Sequence, residues 1–280
     1  MKSIVVVAVW CALAPALFAS SATFFSVADT TISQGDGAIA DGSTPTMIAG
    51  HLPMPAAPAR ALFRFDLSSL PSGAVVTSAT VELTVTVVAD TVQNIAQTHF
   101  LHRLTLGWTE AGASWTGTGG GFWENAGGDF DPASNADTPI TGLGTYSFAS
   151  TPALVSTVQQ WATNAASNFG WALRSAAEDA GKTGRRFATR EASSNRPKLV
   201  VGFFVPPPPV TLTNARVAGG NFRFEFTALP GASYTVQFRP LADVGAWTTL
   251  STHPAPLNPT VIPVAQALTP SNRFYRVVSP

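Results

Sequence analysis

Between Arg60 and Leu67 the chain alternates without a break. Ala61, Phe63, Phe65 and Leu67 stand on one side of the pattern, and Arg60, Leu62, Arg64 and Asp66 on the other. A period of two marks a strand with one buried face, because successive side chains point to opposite sides of a sheet. The first set is expected in a core and the second outside it. After a Leu-Pro-Ser-Gly turn, Val81, Leu83, Val85 and Val87 repeat the pattern, with Glu82, Thr84 and Thr86 outside. The 280 residues include 23 Gly and 22 Pro, so such runs are broken often. This predicts an all-β fold: an antiparallel, jelly-roll-like β-sandwich with one short helix, followed by a second small β-sandwich.

The N-terminus reads as a signal peptide over residues 1–22. Lys2 gives a basic start, Ile4–Ala19 is apolar, and Ser20-Ser21-Ala22 supplies small residues, so cleavage is expected after Ala22 or Ala19. The apolar run has 16 residues, short of the roughly 20 that span a bilayer. These features predict a secreted protein, extracellular or at the cell surface, with no membrane span in its mature form. The single cysteine, Cys11, lies inside this segment, so the mature chain has no disulfide and no thiolate metal site.

Residues 23–205 form the first expected domain. Strands are expected at 24–32, 60–67, 99–106, 146–148, 170–174, 185–190 and 198–204, besides the one carrying Val81–Val87. Residues 33–59 read as loop. Residues 107–137 read as a long irregular stretch, rich in glycine and carrying Trp108, Trp115 and Trp123. Thr151-Pro152 opens a helix, with Leu154, Val155, Val158 and Trp161 on one face. Pro206–Pro209 is a stiff linker. Residues 210–280 show about six short strands, with a hairpin turn at Gly219-Gly220-Asn221.

Lys+Arg and Asp+Glu number 16 each, which leaves no basic surplus for a general nucleic-acid binder. Catalytic constellations are absent from the sequence. There is no Gly-x-Ser-x-Gly elbow, no Walker loop, no dinucleotide fingerprint and no His-Glu-x-x-His. His99 and His102 are three apart in a strand and face opposite sides. The local carboxylate pairs, Asp129 with Asp131 and Glu178 with Asp179, lie in Gly- or Ala-rich loops and read as turn or solvated acids. Asp129 and Asp131 are also weak candidates for a structural calcium ion, with Asn125 and Asp137 nearby. No other cofactor is expected, and the reading is not an enzyme.

Two segments carry a resemblance to a known family. Arg60-Ala61-Leu62-Phe63-Arg64-Phe65-Asp66-Leu67-Ser68 and Phe187-Ala188-Thr189-Arg190-Glu191 resemble the first and last signature strands of the DNRLRE domain, also called carbohydrate-binding module family 96. Trp108-Thr109-Glu110 with Trp115 matches a further family stretch, and Arg174 matches an arginine of another strand. The resemblance covers residues 27–204 and implies a secreted, non-catalytic polysaccharide-binding sandwich. The region after the first strand and the 107–137 loop depart from the family, so its alginate-type ligand does not carry over directly. The tail, with PGASYTVQFRP, WTTL and RFYRVV, resembles a fibronectin-type-III-like domain.

On this reading the ligand-binding set is Arg60, Arg64, Arg174 and Arg190, with Trp115 and Trp123 as stacking platforms. Arginine forks suit a uronate carboxylate, and aromatic rings suit the C–H face of a sugar. Arg60 and Arg64 are about 13 Å apart along their strand. An alternative stands beside it. Arg64 with Glu191, or Arg190 with Asp66, can be cross-strand ion pairs on a sheet face, and either Trp can pin the loop. The partner is then a polysaccharide, with cell-surface or matrix proteins reached through the C-terminal domain. The competing function is a structural or adhesive protein with no specific sugar. A lyase or hydrolase comes third. A Trp-flanked arginine pocket favours binding, and a flat, paired face favours a scaffold.

Overall fold

The structure is a computed structural model that describes residues 20–35, 42–53, 56–88, 95–206, 209–240, 245–268 and 273–279. Of the expected signal peptide, residues 1–22, residues 1–19 lie outside the described residues and Ser20–Ala22 belong to a strand. The chain divides into two compact units, one ending at Val205 and the other beginning at Pro206. Both are all-β and antiparallel. No helix among the described residues is long and apolar enough to cross a membrane.

The first unit contains ten strands in one hydrogen-bonded network. In chain order they are β1 (Ser20–Ser33), β2 (Thr46–Pro53), β3 (Ala56–Phe65), β4 (Val75–Val88), β5 (Gln97–Leu104), β6 (Phe130–Ile140), β7 (Gly144–Phe148), β8 (Trp171–Ser175), β9 (Arg185–Ala188) and β10 (Lys198–Phe204). The helix α1 (Pro152–Thr163) sits between β7 and β8. Two ladders share strands. Ser20–Phe25 of β1 pairs with β10, and Ser26–Ser33 of the same strand pairs with β3. In β2, Thr46–Ala49 pairs with β9, and Gly50–Pro53 with β3. One ladder runs β10-β4-β9, with β7 also on β4, and the other runs β3-β8-β5-β6.

One core takes side chains from both ladders. Phe63, Phe65 and Trp171 meet Val81, Leu83, Phe148, Phe187, Leu199 and Val201. Leu154, Val158 and Trp161 of α1 close it, and the Trp161 and Trp171 rings lie 4.4 Å apart. The helix begins as expected. Thr151 accepts a hydrogen bond from the Leu154 backbone N–H at 3.0 Å, and Pro152 occupies the first turn, where no N–H is needed.

Several expectations change. Thr46–Pro53 is a strand, not loop. Met47, Ile48, Ala49 and Leu52 are all buried, so both faces are covered and no alternation marks it. Residues 130–137 also belong to a strand. β6 tolerates Pro132 and Pro139 because it is an edge that pairs only with β5. Val87 is exposed, since a register shift between Val85 and Val87 turns it outward. The outward face of β3 is not solvent. Leu62 is fully buried there, in a second apolar cluster with Ala28, Ile32, Leu104, Ala172, Trp108, Ala113 and Trp123. The glycine-rich loop between β5 and β6 supplies the last three and covers that face.

The second unit has two three-stranded sheets. β11 (Thr213–Ala218), β12 (Asn221–Ala228) and β15 (Thr260–Ala267) form one; β13 (Tyr234–Arg239), β14 (Thr248–His253) and β16 (Phe274–Val278) form the other. Phe222, Phe224, Phe226, Tyr234, Val236, Val264 and Val277 make its core. Gly219 and Gly220 both take positive φ, 60° and 74°, as a two-residue hairpin turn of the type I′ class requires.

Candidate functional site

The loop at 105–129 is held by its own chemistry. Thr109 N–H donates to Thr118 O at 2.8 Å, and Ser114 N–H to Gly117 O at 2.8 Å. Trp108 Nε1 donates to Phe169 O, and Trp123 Nε1 to Ser114 O, each at 2.8 Å. Asp129 accepts from the backbone N–H groups of Glu124 and Asn125 at 2.7 and 2.9 Å and closes the turn before β6. Phe122 alone among the loop's aromatic residues points out, at 82% exposure.

Beneath the loop lies an arginine–carboxylate knot. Arg60 grips Glu178 with a two-point fork: Nε donates to Oε2 at 3.0 Å and a terminal nitrogen to Oε1 at 2.8 Å. Its other terminal nitrogen donates to Gly127 O at 2.7 Å. The guanidinium also lies 4.8 Å from the Trp115 ring and 5.3 Å from Phe130. Arg174 donates to the same Glu178 oxygen, and its guanidinium lies 5.0 Å from the Phe130 ring that Arg60 also approaches. Burial pushes the Glu178 carboxyl up, but the hydrogen bonds and charges of Arg60 and Arg174 outweigh it and hold the group below its ordinary value. Gly127, at φ 93°, is needed here, since a Cβ would fall 2.4 Å from the Arg60 terminal nitrogen.

A second knot joins three distant segments. Arg190 forks onto Glu110, both bonds at 2.7 Å, and pairs with its neighbour Glu191 at 2.9 Å. It lies in a turn beyond the end of β9, not within the strand. Its backbone N–H donates to Asp29 Oδ2 at 2.9 Å, and Ser26 Oγ donates to the same oxygen at 2.8 Å. The Asp29 N–H donates to Glu110 Oε1 at 2.8 Å. Asp29 is fully buried. That desolvation raises its carboxyl to about 7, with Ser26 and Arg190 opposing the shift and Glu191 and Glu110 adding to it. Carboxylate oxygens of Asp29, Glu110 and Glu191 lie within 4.8 Å of one another.

The expected binding set is therefore split. Arg60 and Arg174 meet at Glu178, and Arg190 belongs to the other knot. Arg64 is half-buried and, among the described residues, makes no ion pair. Trp123 is buried and Trp115 lies partly buried under Arg60, so neither ring is a free platform. Both act as loop anchors, as does Trp108. Asp129 and Asp131 face different partners: Asp129 caps the loop turn, and Asp131 accepts two hydrogen bonds from Arg103 at 2.9 and 2.6 Å. They do not converge on one ion. His99 packs on Phe187 and His102 on Phe130.

Three residues matter that the sequence does not single out for a site. Glu178, expected as a turn or solvated acid, is instead buried, and its spacing of four from Arg174 is the one signal of that pairing. Asp29 is the one acid in Phe24–Ile32, a strand otherwise without charge. Arg185 is fully buried and donates to the carbonyls of Ile95, Thr141 and Thr183 at 2.6, 2.9 and 3.2 Å. It plugs a gap between β9 and neighbouring loops.

The two knots pair arginines with carboxylates and hold the loop over the sheet. The one strongly shifted carboxyl, Asp29, has no surface for a substrate to reach. No family model matches the chain, and no curated protein matches it in sequence.

Proposed function

We propose that this chain is an exported, non-catalytic polysaccharide-binding protein that contacts its ligand through the tip of the 105–129 loop. The carrying observation is Phe122. The loop is fixed by hydrogen bonds on both sides of this residue, yet leaves the ring 82% exposed between Gly121 and the buried Trp123. A pre-ordered aromatic ring loses little freedom on binding and suits the apolar face of a sugar. The resemblance of the Arg60–Ser68 and Phe187–Glu191 segments to a carbohydrate-binding family supports the same reading. Because three of the four arginines are paired with carboxylates of the chain itself, stacking supplies the affinity and uronate charge contributes little.

The paired arginines favour a second reading, a structural or adhesive protein without a specific sugar. Isothermal titration of the mature chain against alginate, pectin and a neutral glucan, at low and high salt, separates the two. Saturable heat with at least one polymer, little changed by salt and lost in Phe122→Ala, is the expected result. Silence from all three polymers overturns the binding reading and leaves the structural one.

A further inference from the structure

Three carboxylates meet where β1, the loop after β5 and the turn after β9 converge. Asp29, Glu110 and Glu191 set three carboxyl groups against the single guanidinium of Arg190. An acidic cluster alone proves nothing, since exposed acids gather without a ligand. Two further facts distinguish this one. Asp29 is fully buried, and its Oδ1 has no hydrogen-bond partner. Glu191 Oε2 is likewise buried and without a partner. A buried carboxylate oxygen left unpaired is costly, and more so when charged. Native folds rarely keep two such atoms in one cluster without something to satisfy both.

We propose that Asp29, Glu110 and Glu191 form a binding site for a divalent cation, with calcium the best fit. All three donors are hard carboxylate oxygens, which excludes a preference for soft metals. Calcium holds oxygens at roughly 2.3–2.6 Å, so two ligands on opposite sides of it stand up to about 5 Å apart. The carboxylate oxygens here lie within 4.8 Å of one another. Magnesium dehydrates reluctantly and keeps several waters, so it suits a cluster of protein carboxylates less well. The cation takes the two unsatisfied oxygens and offsets the charge that Arg190 leaves. Arg190 keeps its fork on Glu110, since Glu110 Oε2 accepts a single hydrogen bond and has a lone pair to spare. The site ties together segments that are 81 and 161 residues apart, and it anchors the root of the loop that carries Phe122. It is distinct from Asp129 and Asp131, and it does not depend on the polysaccharide reading.

The test uses the full mature chain, stripped with a chelator and dialysed. Calcium chloride is titrated calorimetrically from micromolar to millimolar, and thermal unfolding is followed with and without the ion. One calcium per chain and a saturating rise in Tm are expected, with magnesium weaker. Glu191→Gln, a partly exposed position that leaves the core intact, is expected to weaken calcium binding by more than about tenfold. Glu110→Gln should do the same. Asp129→Asn is expected to leave calcium binding unchanged. No heat and no Tm shift in the wild-type chain at millimolar calcium overturns the site, as does calcium binding that survives in Glu191→Gln and Glu110→Gln alike.

Discussion

Removing Glu178 should cost the first unit more than any surface ion pair can, and the amount follows from its surroundings. The carboxylate accepts two bonds from Arg60 and one from Arg174. The Arg60 side chain is 11% exposed and that of Glu178 8%, whereas Arg174 is 29% exposed and can turn to water. The loss therefore falls on Arg60. It keeps Gly127 O and the Trp115 ring, but its charge is left buried without a counter-ion. Breaking a buried pair from one side costs about 3–5 kcal/mol. For a unit of this size that is on the order of 10 °C in Tm. Glu178→Leu, Arg60→Met and the double variant form the cycle, read by urea unfolding. Fluorescence from Trp108, Trp115, Trp123, Trp161 and Trp171 reports the first unit. The double variant should cost less than the two single variants together, by about 2 kcal/mol or more, because no charge is left stranded. A Glu178→Leu cost under about 1 kcal/mol, or strict additivity, would sink the claim that this knot is buried and coupled.

Other expectations follow from the same structure. Burial holds His99 down at about 4, against 6.5 in the unfolded chain. Between those values only the unfolded state takes the proton, so stability falls as pH drops through that window. The full loss is on the order of 3 kcal/mol and is complete below about pH 4; urea midpoints across pH for wild type and His99→Gln would show it, and equal slopes in the two would refute it. Gly127→Ala should destabilise by at least about 2 kcal/mol, through positive φ and the blocked Arg60 nitrogen, and a neutral result in thermal unfolding contradicts the packing. Phe122→Ala should leave stability within about 0.5 kcal/mol while abolishing polysaccharide binding; a large Tm loss would show the ring to be structural. On the proposed exported reading, the intact mass of the secreted chain is expected to give Ser20 as its first residue, because Ser20-Ser21-Ala22 are paired to β10; a start at Thr23 contradicts this.

The sequence displays most of the strands, because alternation survives wherever one face is buried. Phe63, Phe65, Val81 and Leu83 lie where the period puts them, as do Leu154, Val158 and Trp161 in α1. What it hides has a common cause. Met47–Leu52 is covered on both sides, so its apolar run has no rhythm. β6 carries prolines that only its edge position permits. The loop's destination, the outer face of β3, depends on contacts such as Arg60 with Glu178, 118 residues apart. No local pattern encodes a pairing at that distance. The arginines were visible as a set, but whether they face a ligand or a carboxylate is decided by where Glu110 and Glu178 arrive. Phe122 was missed because a phenylalanine among glycines has no periodicity, and Asp29 because one acid in a strand gives no hint of burial.

The sharing of β1 between two ladders bears on how this unit assembles. Ser20 pairs with Phe203, so the first described strand waits for the last. Ser26–Ser33 meanwhile depends on β3, about 30 residues on. The ends of the unit meet only after the whole of it is available, and contacts this distant in sequence slow the search for the native state. A chain translated or threaded from its N-terminus therefore keeps an unclosed edge until Phe204 has emerged. The strand Lys198–Phe204 acts as the latch that closes the unit.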